Sequence, residues 1–334
     1  MNRLEEQFIR SPNAKHLSIR HAMNAETLIQ PKPTGRSGPK NAVVTTAGPT
    51  PARSDGPGTS ATDSHLQGLK ARLKATWESG DFGQIAKFTM PAAEQFMARI
   101  PLQPGMRVLD AACGTGNLAV LAARRRCQVA GLDIAANLLV QARQRADQEQ
   151  LAIEFAQGDV EAMPYADATF DAVVSMYGVM FAPRPERVVS ELCRVTRPGG
   201  LIALANWTPD GFIGKMFAVF ARHVPPPAGI PSPLLWGNEA AVRVRFNGAV
   251  RKLTFERCMA RMCFPFDPAG TVEFFRRYYG PTQRAFATLD LASQASLRRD
   301  LIELETQHNV SSRPNETDTP SEYLEVHAYV APGG

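Results

Sequence analysis

The central part of the chain alternates short apolar runs with longer stretches in which apolar residues recur every three or four positions. The apolar runs predict buried strands near 106–110, 128–133, 152–156, 170–175 and 201–206. The stretches between them predict helices near 117–125, 136–148 and 185–196. Strands that alternate with helices form a parallel sheet with helices on both faces, so we predict an α/β, doubly wound, Rossmann-like fold.

Two later segments, 249–262 and 322–331, alternate apolar with polar residues and predict the sixth and seventh strands. An apolar helix face after Trp207 precedes the sixth strand, and an aromatic-rich helical segment at 267–309 separates the sixth strand from the seventh. We therefore divide the domain into leading helices, a core, helical insertions that include the sixth strand, and a last strand. The corresponding ranges are 66–104, 105–207, 208–320 and 321–331.

The leading segment predicts two helices. Leu66, Leu69, Leu73 and Trp77 recur at helical spacing, which places Lys70 on the outer face, and 92–100 predicts a second helix behind Pro91.

Residues 1–65 predict no packed structure. Six prolines and five glycines lie between 31 and 58, and such a stretch buries too little apolar surface to offset its ordering entropy. We expect a disordered tail ahead of a domain spanning 66–334. Three interpretations of these residues remain open: a dispensable tail or misassigned start, a docking arm, and an organelle transit segment. Glu5, Glu6 and Glu26 count against the transit segment.

Charge and cysteine content narrow the function class. The net charge is +5, but residues 1–65 hold eight Lys/Arg and five Asp/Glu, so the rest carries only +2. This near balance disfavours nucleic acid as a partner. No run of 18 apolar residues and no secretory signal pattern occurs, so we expect a cytoplasmic protein without a membrane span. The five cysteines lack Cys-x-x-Cys spacing, so we predict reduced thiols and no metal site.

A glycine turn follows the first predicted strand. Asp110 ends that strand, Gly114 and Gly116 follow, and a helix then begins. Glycines let a backbone approach a ligand, and the free N–H groups of a helix start face it. An ordinary βα turn has the same pattern. Asp133, seventeen residues beyond Gly116, ends the second strand, where an acid accepts hydrogen bonds from ribose hydroxyls.

Two features favour S-adenosyl-L-methionine (SAM) over NAD as the ribose-containing ligand. Asp110 precedes the glycines, where it would crowd a pyrophosphate but suits a cationic aminoacyl-sulfonium group. Asp159 ends the third strand and supplies a second acid for an exocyclic adenine amine. NAD remains an alternative because Gly114 to Ala119 also fits the dinucleotide pattern Gly-x-Gly-x-x-Gly/Ala.

The sequence resembles the class I SAM-dependent methyltransferases, methyltransferase type 11 branch, and is similar to the quinone-biosynthesis C-methyltransferases. The resemblance runs from about residue 107 to 207. Five blocks carry it in order, at 108–116, 131–134, 158–165, 170–175 and 197–200. It departs at Ala112, where many members carry another glycine, and we expect a slightly tighter loop there. It implies a seven-stranded sheet of six parallel strands and a last antiparallel strand.

The resemblance also implies the residues that bind SAM. The aminoacyl end falls to Asp110 and the loop Ala112–Gly116, the ribose to Asp133 and Ile134, and the adenine to Asp159 and Val160. Backbone carbonyls from Ser175 to Tyr177 would meet the ligand's amino group. Asp110 or Asp133 capping a helix is the structural alternative. No general base is evident, and Tyr177 and His223 are weak candidates.

The predicted activity is therefore methyl transfer from SAM to a small, apolar or aromatic molecule by direct displacement. In the family, leading helices partly cover the SAM pocket, so Trp77, Phe82, Phe88 and Phe96 are candidates for its lining, with plain helix packing as the alternative. Aromatic residues in the insertions, among them Phe212 and Phe275, predict an apolar roof over the acceptor. A non-catalytic SAM-binding module and a nucleotide-dependent oxidoreductase are the alternative functions. The pattern does not indicate an oligomeric state.

Overall fold

One mixed sheet organises the part of the chain that the structure describes. The computed structural model describes residues 60–227 and 229–332, with side chains from residue 64 onward. Seven strands lie in the order β3-β2-β1-β4-β5-β9-β6. They are β1 (Arg107–Ala111), β2 (Gln128–Asp133), β3 (Ile153–Gln157), β4 (Phe170–Met176), β5 (Thr196–Trp207), β6 (Val250–Ala260) and β9 (Ser321–Val330). Strand β9 is antiparallel to both neighbours, and β1 to β5 pair in parallel, which confirms the predicted sheet.

Helices cover both faces of the sheet and one end of it. In chain order they are α1 (Ser60–Glu78), α2 (Phe82–Arg99), α3 (Asn117–Arg124), α4 (Ala136–Gln148), α5 (Pro185–Val195), α6 (Phe212–His223), α7 (Glu239–Arg245), α8 (Pro268–Tyr278), α9 (Gly280–Ala287) and α10 (Leu291–His308). Short 3-10 helices lie at Val179–Phe181 and Pro233–Gly237. None of the helices in the described ranges has the length and apolar character needed to cross a membrane.

The leading segment differs from the prediction in two ways. Helix α1 begins at Ser60, six residues earlier than expected, while the rest of the predicted tail, 1–59, lies outside the described residues. Helix α2 begins at Phe82 and runs through Pro91 instead of starting behind it. Proline removes one helical hydrogen bond, but Ala92, Ala93 and Phe96 are buried, and this packing offsets the loss.

A further pair of strands was not predicted. Strands β7 (Cys263–Phe264) and β8 (Thr317–Asp318) form a two-stranded antiparallel sheet. Each strand has only two residues, which is too short for periodicity to indicate.

The sheet core determines where a ligand can approach. Strands β1, β2 and β4 have neighbours on both sides, and their apolar side chains are buried, as in Val108, Leu109, Leu132 and Val173. Such strands are covered on both faces, so only their ends are open. In an open parallel sheet, ligands bind outside the carboxyl ends of the strands, and the cleft described next lies there.

Candidate active site

A cleft opens at the carboxyl ends of β1, β2 and β4. It encloses about 1060 Å³ of space, counted out to its mouth. Its lining includes carboxylates, a lysine, threonines and an asparagine, together with aromatic and aliphatic side chains. Seven of the predicted cofactor residues line it: Asp110, Ala112, Gly114, Asp133, Ile134, Asp159 and Val160.

The turn between β1 and α3 contains three residues whose backbone has a positive, left-handed φ. Ala112, Gly114 and Gly116 have φ values of 57°, 53° and 79°. Glycine reaches this region without strain, whereas alanine pays roughly 1 kcal/mol there. Gly116 ends the loop at the start of α3 and does not line the cleft, so its place in the site is that of a turn residue.

Two buried aspartates fix the loop against the sheet. The N–H group of Ala119 donates to Asp110 Oδ2 at 2.9 Å. Asp133 accepts from the Gly114 N–H at 2.8 Å through Oδ2 and from the Ala135 N–H at 2.9 Å through Oδ1. Both acids therefore bind backbone N–H groups of the turn or the helix start that follows their strand. This is a structural role that each acid has in addition to any role in ligand binding. Each carboxylate has about four acceptor sites, so capacity remains for a ligand.

The electrostatics of this pair favour a positively charged ligand. Asp110 is 1% exposed and Asp133 is 7% exposed. Burial raises the pKa of Asp110 to about 7, and the neighbouring charge of Asp133 adds to the shift while the Ala119 N–H opposes it. Burial likewise raises the pKa of Asp133 against its backbone hydrogen bonds. A cation placed in the cleft would offset this cost of holding two carboxylates out of water.

The third strand brings a carboxylate that already has a partner. Asp159 Oδ1 accepts from the Glu161 N–H at 2.9 Å, and Lys70 Nζ lies 2.5 Å from Asp159 Oδ2. Lys70 also lies 2.5 Å from the fully buried Glu161. The prediction that Lys70 faces outward is wrong, since the side chain lines the cleft.

The exit from β4 borders the cleft with two of the three predicted residues. Ser175 is fully buried, and its Oγ accepts from the Val179 N–H at 3.3 Å, so it does not line the cleft. Met176, Tyr177 and Gly178 line it instead.

Neither candidate base has a free group in the cleft. Tyr177 adopts a left-handed φ of 61° and stacks on Trp207 at 3.6 Å between ring centroids. Its hydroxyl is buried, which raises its pKa well above the ordinary value. His223 does not line the cleft, because it ends α6 and pairs with Asp300 at 2.9 Å on α10.

Three aromatic rings from separate elements also line the cleft. Trp77 of α1 meets Phe181 edge-on at 4.9 Å and Phe82 at 5.9 Å, and all three line the cleft. We call these three residues the aromatic wall. Phe88 and Phe96, the other two lining candidates, do not line the cleft: Phe88 packs on Phe264 at 4.5 Å, and Phe96 is fully buried.

Of the predicted roof, Tyr279 in the aromatic-rich segment 267–309 packs against the aromatic wall of this cleft, with ring centroids 5.9 Å from Trp77 and 6.2 Å from Phe82. Phe212 and Phe275 are buried, and neither lines the cleft. Phe275 lines a second, much smaller cavity with Met216 and Glu305, and this second cavity shares no lining residue with the cleft. Phe212 and Phe275 therefore pack among the helices of the insertions and not at the cleft.

Sequence reasoning missed several lining residues besides Lys70. Leu73 of α1, Thr115 and Asn117 of the glycine turn, and Leu138 of α4 also line the cleft. One signal for Lys70 was present: it shares a helix face with Leu73 and Trp77 at spacings of three and seven residues. The pair Asp159 and Glu161 was a second signal, because a buried acid needs a cation.

Comparison with known proteins gives matches over the core and over most of the chain. Residues 109–204 match the family model described as a methyltransferase domain. An uncharacterized protein of Mycobacterium tuberculosis is 36% identical over 264 residues, which cover 78% of this chain and 92% of that protein. The demethylmenaquinone methyltransferase of Deinococcus radiodurans is 37% identical over 154 residues, or 45% of this chain and 61% of that protein.

A solved structure supports the same fold. The YcgJ protein of Bacillus subtilis superposes with a TM-score of 0.50 at 15% identity, and the match covers 72% of this chain and 99% of that one. Its likeness shows the fold alone.

Proposed function

Since this chain belongs to the class I SAM-dependent methyltransferases of the type 11 branch, we propose that it methylates a small, apolar or aromatic metabolite by direct displacement. The single observation that carries this acceptor class is the aromatic wall of Trp77, Phe82 and Phe181, which lines the same cleft as the buried carboxylates. An apolar lining with few polar groups favours an acceptor held by desolvation. A quinone-like or polyketide-like molecule has this chemistry.

The donor is SAM, and the acidic side of the cleft fits it. Asp110 and Asp133 are buried together against one cavity, and a ligand with an ammonium and a sulfonium group offsets the charge that they hold. In this proposal Asp110 and the backbone at Gly114 hold the aminoacyl end, and Asp133 with Ile134 holds the ribose. Backbone carbonyls from Ser175 to Tyr177 would meet the ligand's amino group, and Met176 and Tyr177 line the cleft there.

The adenine end falls to the loop after β3. Asp159 would accept from the adenine amine, and the Val160 N–H would donate to the ring. Both residues line the cleft beside Leu138. When bound, SAM supplies a methyl group attached to a sulfonium sulfur. Once the methyl group is transferred, the sulfur remains in S-adenosylhomocysteine as a neutral thioether.

The protein's part in the reaction is alignment and exclusion of water. One-step displacement needs nucleophile, methyl group and leaving sulfur in line, and holding reactants in that geometry supplies much of the acceleration. The carboxylates fix one reactant and the aromatic wall the other. No histidine is among the cleft-lining residues of the described chain, and the Tyr177 hydroxyl is buried. We therefore propose that the proton displaced from the acceptor passes to solvent and not to a histidine or tyrosine of the protein.

Calorimetric titration tests the donor site, with S-adenosylhomocysteine as the product and NAD as the control for the oxidoreductase alternative. Incubation with methyl-labelled SAM and a metabolite extract then tests the acceptor class. We expect label in the organic-extractable fraction, and little in RNA, DNA or protein. Label confined to RNA, DNA or protein contradicts the acceptor class. SAM binding without transfer to any pool supports the non-catalytic alternative.

A further inference from the structure

Lys70 joins the cleft to the helix that covers it. Its Nζ lies 2.5 Å from Asp159 and 2.5 Å from Glu161, and the side chain is 18% exposed. Asp159 is the residue that we assign to the adenine amine, so the inference below rests on the proposed function.

Glu161 does not depend on Lys70 for its hydrogen bonds. The Arg184 N–H donates to Glu161 Oε1 at 2.7 Å, and the Arg184 Nε donates to Oε2 at 2.7 Å. The buried carboxylate therefore keeps a charged partner and a backbone donor without the lysine. Loss of Lys70 does not leave Glu161 as an unpaired buried charge, which is the costly case.

Asp159 is in a different position. Its Oδ1 accepts the Glu161 N–H at 2.9 Å, and its Oδ2 is held by Lys70. No other contact to this carboxylate is seen among the described residues. Without the lysine, a single backbone N–H would remain to orient it. The lysine thus contributes more to the orientation of Asp159 than to the burial of Glu161.

The same contact fixes the height of α1 over the cleft. Lys70, Leu73 and Trp77 share one face of α1, and all three line the cleft. The helix is tied again at its end, where the Ala136 N–H donates to Glu78 Oε1 at 3.0 Å. Seven residues of helix span about 10 Å, so α1 links the adenine end of the cleft to the aromatic wall.

We propose that Lys70 is a positioning residue for cofactor recognition. It holds the Asp159 carboxylate in the orientation that accepts the adenine amine, and it seats α1 over the cleft. The lysine therefore contributes to the preference for a 6-amino purine over a 6-oxo purine.

The test compares S-adenosylhomocysteine with S-inosylhomocysteine, which carries an oxo group in place of the adenine amine. Dissociation constants of the full chain are measured by calorimetry. We expect the wild-type protein to prefer the adenosyl ligand by roughly tenfold or more, since a carboxylate facing an oxo group loses a hydrogen bond to a charged acceptor. Lys70→Met should reduce that preference by roughly threefold to tenfold.

Lys70→Arg keeps the positive charge and should restore the preference. Arg72→Met is the matched control, because Arg72 is an exposed cation on the same helix and should leave the preference unchanged. Thermal melts check folding, and Lys70→Gln carries the test if the methionine variant does not fold.

Equal weakening of both ligands in Lys70→Met, or no change in either, overturns the positioning role. A wild-type protein that binds S-adenosylhomocysteine without preferring it over the 6-oxo ligand also overturns it. A wild-type protein that binds neither ligand contradicts the proposed function itself. The two failures are therefore distinct.

Discussion

Two buried carboxyl groups have similarly raised pKa values but different neighbours. One is Asp110, at the carboxyl end of β1, and the other is Glu305, among the helices of the insertions. Burial raises the pKa of Asp110 to about 7 and that of Glu305, on α10, to about 8. Asp110 accepts a backbone N–H and borders the large cleft beside Asp133. Glu305 Oε2 has no hydrogen-bond partner in the described residues, and the residue borders the small second cavity.

The difference shows that a raised pKa alone does not identify a binding site. Burial disfavours the charged form of a carboxyl group wherever it occurs. At Asp110, a second acid and a cleft open to solvent allow a cation to enter and compensate both. At Glu305 the cavity is lined by Met216, Phe220, Val272, Phe275, Leu301 and Leu304, with Thr282 as the other polar residue. Glu305 therefore has a raised pKa without a second acid or an open cleft beside it, and its burial lowers the stability of the folded state as pH rises.

The largest expected effect is a loss of SAM affinity when Asp110, but not Glu305, is replaced. Asp110→Asn should weaken SAM binding at pH 8 by about 1.5–3 kcal/mol, or roughly tenfold to more than a hundredfold, because a hydrogen bond to a charged group is lost. Glu305→Gln should leave the dissociation constant unchanged. Calorimetry on both variants measures this, and equal affinities in the wild type and Asp110→Asn would remove Asp110 from the donor site.

The same titration carries a pH dependence. The ligand-free pKa of Asp110 is about 7, so below that pH the group must lose its proton before it can hold a cation. Affinity for SAM should therefore rise with pH up to about 7 and level off above it, with proton uptake by the buffer. This dependence should vanish in Asp110→Asn.

The next effect concerns stability. Glu305 has a pKa raised from 4.5 to about 8, so the unfolded chain loses its proton at lower pH than the folded chain. The folded state is destabilised progressively between about pH 4.5 and 8, with the full loss above 8. We expect wild type to lose about 2 kcal/mol relative to Glu305→Gln between pH 6 and 9, seen in denaturant melts of both proteins. A difference between the two that is constant across this range would contradict the assignment.

The smallest effect compares two phenylalanines. Phe181→Leu should raise the Michaelis constant for the acceptor by roughly fivefold, about 1 kcal/mol, because the aromatic wall loses a ring. Phe275→Leu, at the second cavity, should lower the melting temperature and leave that constant unchanged. Steady-state kinetics with the acceptor fraction from the labelling assay measures both, and SAM affinity is the shared control. An effect of Phe275→Leu on the acceptor alone would restore the predicted roof.

The acidic side of the cleft was predictable from sequence because strand ends fix it. Asp110, Asp133 and Asp159 each end or follow a short apolar run, and parallel neighbours bring their carboxyl ends to one edge. The same logic places the exit of β4 at this edge, where Met176 and Tyr177 line the cleft while the Ser175 side chain is buried.

The other side was less predictable, because it is formed by elements far apart in sequence. Hydrophobic spacing assigns a charged residue to the solvent, and it placed Lys70 outside. The structure places it inward because the surface that α1 covers is itself acidic. Aromatic residues such as Phe212 and Phe275 fit core packing and cavity lining equally well, so their sequence pattern does not decide between these roles. It also does not show which of two cavities such a residue lines.

The position of β9 has a consequence for synthesis of the chain. Strand β6, eleven residues long, pairs with β9 and with no other strand in the described ranges, and β9 comes some sixty residues later. While the ribosome makes the intervening helices, β6 and the outer side of β5 both lack this partner. Unpaired strand edges are a route to association between chains. One half of this sheet therefore closes only when Ser321–Val330 emerges and inserts between two strands that are already made.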